Sequence, residues 1–136
     1  EVLENVTVRN IDILEHDEDD PLYQGSMNID CGDKNIVRNV LFEDIRVESI
    51  QEGRLFCLKV LYNPKYNKAP GNSIEEITFR NITYDGVGEN PSLIKGIDEN
   101  HSVRNITFEN VVINGKRMKD VNEFITNEFI KDIKVK

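Results

Sequence analysis

The apolar positions of this chain recur in one arrangement, copied along its length. Residues 3–13 (LENVTVRNIDI), 37–47 (VRNVLFEDIRV), 74–84 (IEEITFRNITY) and 103–113 (VRNITFENVVI) share a register: apolar, any, Asn or acid, apolar, any, apolar, any, Asn or Asp, apolar, any, apolar. The copies start 34, 37 and 29 residues apart, and a shorter fifth (IKDIKV) begins at Ile130, 27 residues after the fourth. A period of this size marks a repeat architecture in which neighbouring copies bury one another's apolar faces.

Within each copy the apolar residues alternate with period 2 on either side of the second polar position, and helical spacing is not sustained, so two short strands are predicted. The residues at the break are Asn10, Asp44, Asn81 and Asn110. These types tolerate left-handed backbone and bond their own turns, so they mark a corner. A further apolar stretch follows each copy, at residues 26–31, 55–62, 93–97 and 124–126. Each period therefore supplies three short strands, two corners and one longer, variable loop.

Equivalent positions carry like side chains: Val6, Val40, Ile77 and Ile106 in one series, and Val8, Phe42, Phe79 and Phe108 in another. Two more are Ile11, Ile45, Ile82 and Val111, and Ile13, Val47, Tyr84 and Ile113. Copies stacked in register place each series in a ladder with strands about 4.8 Å apart. The fold expected is all-β, a parallel β-helix of about four and a half coils in a single domain spanning residues 1–136. Leucine-rich repeats have shorter periods and a Leu-dominated pattern absent here. A β-sandwich has no need of the same pattern four times.

Composition narrows the partners. The 136 residues include 17 Lys and Arg against 25 Asp and Glu, a net charge of −8. That balance argues against nucleic acid, whose phosphates require clustered cations. No apolar run is long enough to span a membrane. Two cysteines, Cys31 and Cys57, make neither a disulfide framework nor a metal site, and behave as small apolar fillers, though they fall in equivalent strands where stacking would make them neighbours. Sequons at Asn5, Asn81, Asn100 and Asn105 arise mainly from the repeat itself, which sets Asn near Thr.

The stacked motifs VRNVLFEDIRV and VRNITFENVVING, separated by strand segments such as GRLFCLKV, resemble the right-handed parallel β-helix glycoside hydrolases of the polygalacturonase class (family 28) and the dextranase and isopullulanase class (family 49). The resemblance implies a C-terminal portion of a longer enzyme, secreted or periplasmic, acting on a polysaccharide without a cofactor. In polygalacturonase-like enzymes it implies clustered aspartates, a Gly-His-Gly strand and an Arg-Ile-Lys strand. Here Tyr23-Gln24-Gly25 and Cys57-Leu58-Lys59 stand at those places, so only Gly25 and Lys59 match. With the histidine replaced by Gln24 and the arginine by Cys57, the isolated chain is expected to be inactive, and a neutral glycan is favoured over a uronic acid.

Independently of the resemblance, glycoside hydrolysis requires two carboxyl groups about 5 to 9.5 Å apart. The run Glu15-His16-Asp17-Glu18-Asp19-Asp20 concentrates acids at a strand end, with His16 and Asp17 nearest the strand. It reads as a catalytic or binding loop, a solvated acidic loop, or a calcium site lacking EF-hand spacing. Gln24, Asp30 and Lys59 are candidate substrate contacts, set against structural roles at a turn or a solvated strand face. The segment 62–72 (YNPKYNKAPGN) presents Tyr62 and Tyr66 with Lys65 and Lys68, a combination suited to stacking on sugar rings and bonding hydroxyls, or to packing on itself. His101 reads as a turn residue. A non-catalytic β-helix that binds glycan, or acts as adhesin or spacer, is the alternative, and a calcium-dependent polysaccharide lyase the third reading. Self-association is expected through the apolar edge of the first coil, where unpaired backbone is a template for another strand.

Overall fold

A computed structural model describes residues 1–20 and 22–136. Twelve strands follow in order: β1 (Val2–Ile13), β2 (His16–Asp17), β3 (Gly25–Cys31), β4 (Ile36–Val47), β5 (Ile50–Val60), β6 (Ser73–Tyr84), β7 (Glu89–Asn90), β8 (Leu93–Lys95), β9 (Val103–Ile113), β10 (Lys116–Arg117), β11 (Ile125–Thr126) and β12 (Ile130–Val135). The chain is all-β, and its strands pair in parallel except for the β9–β10 hairpin and two isolated bridges.

The repeated copies are β1, β4, β6, β9 and β12, and they form one sheet in chain order. Val6 pairs with Val40, Val40 with Ile77, Ile77 with Ile106, and Ile106 with Ile133. Phe42, Phe79 and Phe108 are likewise successive partners. The intervening apolar stretches form the second sheet, in which β5 pairs with β3 on one side and β8 on the other, and β11 continues from β8. Phe56 from this second sheet sets its edge against Phe79 at 4.7 Å and Phe108 at 5.1 Å between centroids, joining the sheets through a core that excludes water.

Each repeated strand runs through its corner as one bent element. Asn10, Asp44, Asn81 and Asn110 all have φ between 52° and 56°. A second bend lies five residues earlier, at Asn5, Asn39, Glu76 and Asn105, with φ of 53° to 60°. Only the later bend was expected, because Glu76 interrupts the amide pattern at the earlier one. Side-chain amides bridge copies at both: Asn39 donates to Asn5 Oδ1 at 2.6 Å and Asn110 to Asn81 Oδ1 at 3.0 Å.

Charged residues on the outer face alternate in sign from copy to copy. Arg9 donates to Glu43, Arg80 donates to both Glu43 and Glu109, Arg38 donates to Glu4, and Arg104 donates to Glu75. Neighbouring coils with opposite charges at one register position attract, and a one-residue shift would take Glu4 away from Arg38 and set it opposite Val37 or Asn39. The ladders therefore reinforce the register that the apolar columns set.

Cys31 and Cys57 do occupy neighbouring strands but are not register partners. Cys31 pairs with Val60, and Cys57 with Asn28. Both thiols are free and buried, and burial pushes both above the usual thiol range.

Candidate functional site

The candidate residues divide between the two ends of β5. At the start of that strand, His16 pairs with Ile50 and Asp17 with Glu52. The His16 ring lies against Gly53, where an added Cβ would overlap it, and its Nε2 is 3.6 Å from Glu18 Oε1. Gln51 donates to Glu15, and Asp20 Oδ1 accepts from the Leu22 amide. Asp17 stays exposed. The acidic run thus packs partly on itself and on the β5 edge.

Lys59 lies nine residues beyond Ile50, toward the other end of β5. At a strand rise of about 3.3 Å per residue, and allowing for the bend at Gly53, that is on the order of 20–30 Å from His16. Asp30, the register partner of Lys59, sits 3.7 Å from its ammonium. The carboxyl groups of Asp17 and Asp30 are therefore too widely separated to act across one glycosidic bond.

The segment before β3 folds across the outer face of β5. The Lys59 ammonium donates to the Tyr23 carbonyl and lies 4.2 Å from the centroid of the Tyr23 ring. Cys57 Sγ is 3.9 Å from the same carbonyl. Arg54, only 3% exposed, donates to the carbonyls of Leu22 and Pro91. Lys59 is thus half-buried and already satisfied, a role that sequence spacing alone does not reveal. Gln24, next to Tyr23, is half-buried, and its carbonyl accepts from the Arg54 amide.

Beyond β5 the chain enters the tyrosine-bearing loop, residues 61–72. Asp33 organises it: the Asn67 amide donates to Asp33 Oδ2 at 3.0 Å and the Lys68 backbone N–H to Oδ1 at 2.7 Å. The Asn67 side chain, then the Lys68 amide, holds the Asp33 carboxyl below the usual carboxylate range. Asn63 and Asn67 bond within the loop, and Gly71 passes so close to Cys31 that a Cβ would overlap its carbonyl. The loop therefore packs on itself while presenting its aromatics: Tyr66 is 70% exposed and Tyr62 48%. Tyr66 borders a shallow groove of about 470 Å³ with Asp33, Lys34, Lys68 and Ala69.

His101 closes a turn, its Nδ1 2.7 Å from Asp98 Oδ1. Among the described residues, no group of three or more His, Cys, Asp or Glu side chains is placed to hold a metal ion, and no helix is long and apolar enough to cross a membrane. Sequence reasoning missed the larger cavity, about 890 Å³, between residues 89–92 and 116–124. Apart from Leu55 and Ile113, which belong to repeated strands, its walls come from segments outside the repeat, so no periodic signal points to it.

No protein-family model, curated protein or solved structure matches this chain.

Proposed function

We propose that the chain is a right-handed parallel β-helix of the glycoside-hydrolase type that binds a polysaccharide, its own residues supplying recognition rather than the reacting carboxyl pair. The β-helix reading is supported by five copies in chain order, with like side chains as register partners. The hydrolase assignment rests on the resemblance of the repeat motifs, which also implies an extracellular or periplasmic setting.

The observation that carries glycan binding is Tyr66, an exposed ring on a loop tied down by Asp33 and bordered by Lys34 and Lys68. An aromatic held on an ordered loop stacks on a sugar's C–H face with little further ordering cost, while the lysines donate to hydroxyls. The separation of Asp17 from Asp30, and the engagement of Asp30 and Lys59 with each other, argue against acid/base chemistry by these residues.

Affinity electrophoresis through gels containing neutral polysaccharides, alongside a reducing-end assay on polygalacturonate, tests the reading. Retardation by at least one polymer, lost in Tyr66→Ala, with no reducing ends released, is expected. Unretarded migration across the panel, or robust release of reducing ends, overturns it.

A further inference from the structure

We propose that a second copy of this chain docks head to tail, its β1 pairing in parallel with the open edge of β12, so that the ladders of one molecule run on into the next. Among the described residues, both strands are open on one side: β1 pairs only with β4 and β12 only with β9. An unpaired strand edge is a template for another strand. The inference rests on the strand register and is independent of glycan binding.

The register within the chain fixes what meets at the junction. Followed from partner to partner, the ladder that starts at Leu3 ends at Ile130, that of Val6 at Ile133, and that of Val8 at Val135. One further step sets Ile130 against Leu3 of the second copy, Ile133 against Val6 and Val135 against Val8. Val6, Val8, Ile130, Ile133 and Val135 are only partly buried, and Leu3 is 55% exposed, so that step covers apolar surface at both ends. Because β10 pairs with Val112 and Ile113 and takes the places beyond β12, the contact is confined to the first half of β1.

The polar ladders select the same step. Arg38 donates to Glu4 and Arg104 to Glu75 in a ladder that ends at Lys131. Lys131 thus stands beside a like charge, Arg104, and the next place in the stack belongs to Glu4 of the second copy. At the bends the later copy's amide donates to the earlier copy's oxygen: Asn39 to Asn5, Asn81 to Asp44, and Asn110 to Asn81. Asp132, with φ 55°, holds the fifth copy's place in the ladder of Asn5 and Asn39. Among the described residues, the Asp132 carboxylate accepts no side-chain hydrogen bond and the Asn5 side chain donates none. Asn5 of the second copy therefore brings Asp132 a donor in the same direction as every other amide bridge. Lys136 comes opposite Arg9, a like pair, but each lies by an acid of its own chain, Glu109 and Glu43 respectively.

Charge also favours this arrangement over two first coils meeting face to face. Residues 1–20 carry eight acids against Arg9 alone, whereas residues 116–136 carry six lysines and arginines against four acids. Two first coils repel, and a first coil on a last coil attracts. A head-to-tail contact does not close on itself, so copies add in series.

The test uses two variants of the whole chain. Asn5→Asp keeps the acceptor that Asn39 uses, as Asp44 does for Asn81, but sets a carboxylate against Asp132. Lys131→Glu gives Arg104 an opposite charge within the chain and sets an acid against Glu4 of the second copy. Sedimentation velocity from micromolar to millimolar concentration should show species beyond the dimer, and each variant alone should weaken association about fivefold or more. A one-to-one mixture of the variants retains one unaltered junction, between Lys131 and Asp132 of the first and Glu4 and Asn5 of the second, and should stop at twice the 15.7 kDa chain mass. Unchanged melting temperatures in dilute solution verify that both variants fold. A monomer at every concentration, association unmoved by Lys131→Glu, or a mixture no larger than its components each overturns the proposal.

Discussion

Phe79 stacks on Phe108, one copy further along, with ring centroids 5.1 Å apart and planes inclined by 10°. Phe42 stacks on the other side of Phe79 at 5.0 Å, and Phe56 meets it edge-on from the second sheet. Phe79 is therefore sealed on three sides and has no exposed surface. Replacing it with Ala removes stacking on both neighbours and leaves a cavity that the flanking coils cannot close, which should cost about 3–5 kcal/mol. Urea unfolding of Phe79→Ala gives this directly, and a loss near zero would contradict burial within a ladder.

Glu76 occupies the earlier bend of the third copy with φ 58°, where the first, second and fourth copies carry Asn. Left-handed backbone is costly for a residue such as Glu and easier for Asn, whose short amide bonds locally. Glu76→Asn should therefore stabilise the protein by about 0.5–1 kcal/mol. A rise in the urea midpoint without a change in slope is the expected result; destabilisation would mean that the Glu76 side chain makes a contact worth more than the backbone strain.

How much was legible follows from which residues repeat. The columns of Val6 and Val8 were readable because a strand's side chains alternate and copies in register must match. The bend at Asn10 was readable from residue type. The bend at Asn5 was hidden by Glu76, and the cover over Lys59 was hidden because Tyr23 lies on a loop with no counterpart in other copies.

Acid should destabilise the fold. The carboxyls of Asp12, Asp33, Asp98 and Glu109 are held below their usual range by Arg46, Asn67, His101 and Arg80 respectively. A folded-state pKa below the unfolded value contributes stability that is complete above the unfolded value, about 3.9–4.3, and is lost as pH falls through the folded one. Melting temperature is expected to hold between pH 7 and 5 and to fall below about pH 4. A rise on acidification through that lower window would contradict these assignments.

Among the described residues, β1 pairs on one side only, with β4. Val2, Leu3 and Ile11 are 48%, 55% and 38% exposed along it. An open apolar edge is a template for another strand, so the 136-residue polypeptide is expected to self-associate through β1. Light scattering should exceed the 15.7 kDa chain mass at high concentration and return to it in Val8→Lys. A monomer at all concentrations would rule out the contact, and association unaffected by Val8→Lys would place it on another face.

Glycan recognition at the tyrosine loop is tested most directly by amide shift mapping of the intact chain with neutral oligosaccharides, repeated on Tyr66→Ala. The largest shifts should fall in residues 62–69 and on Asp33 and Lys34, saturate with concentration, and disappear in Tyr66→Ala while the core spectrum of β6 and β9 is unchanged. Saturable binding with the same affinity in Tyr66→Ala, or no shifts in this loop with any oligosaccharide, would contradict it.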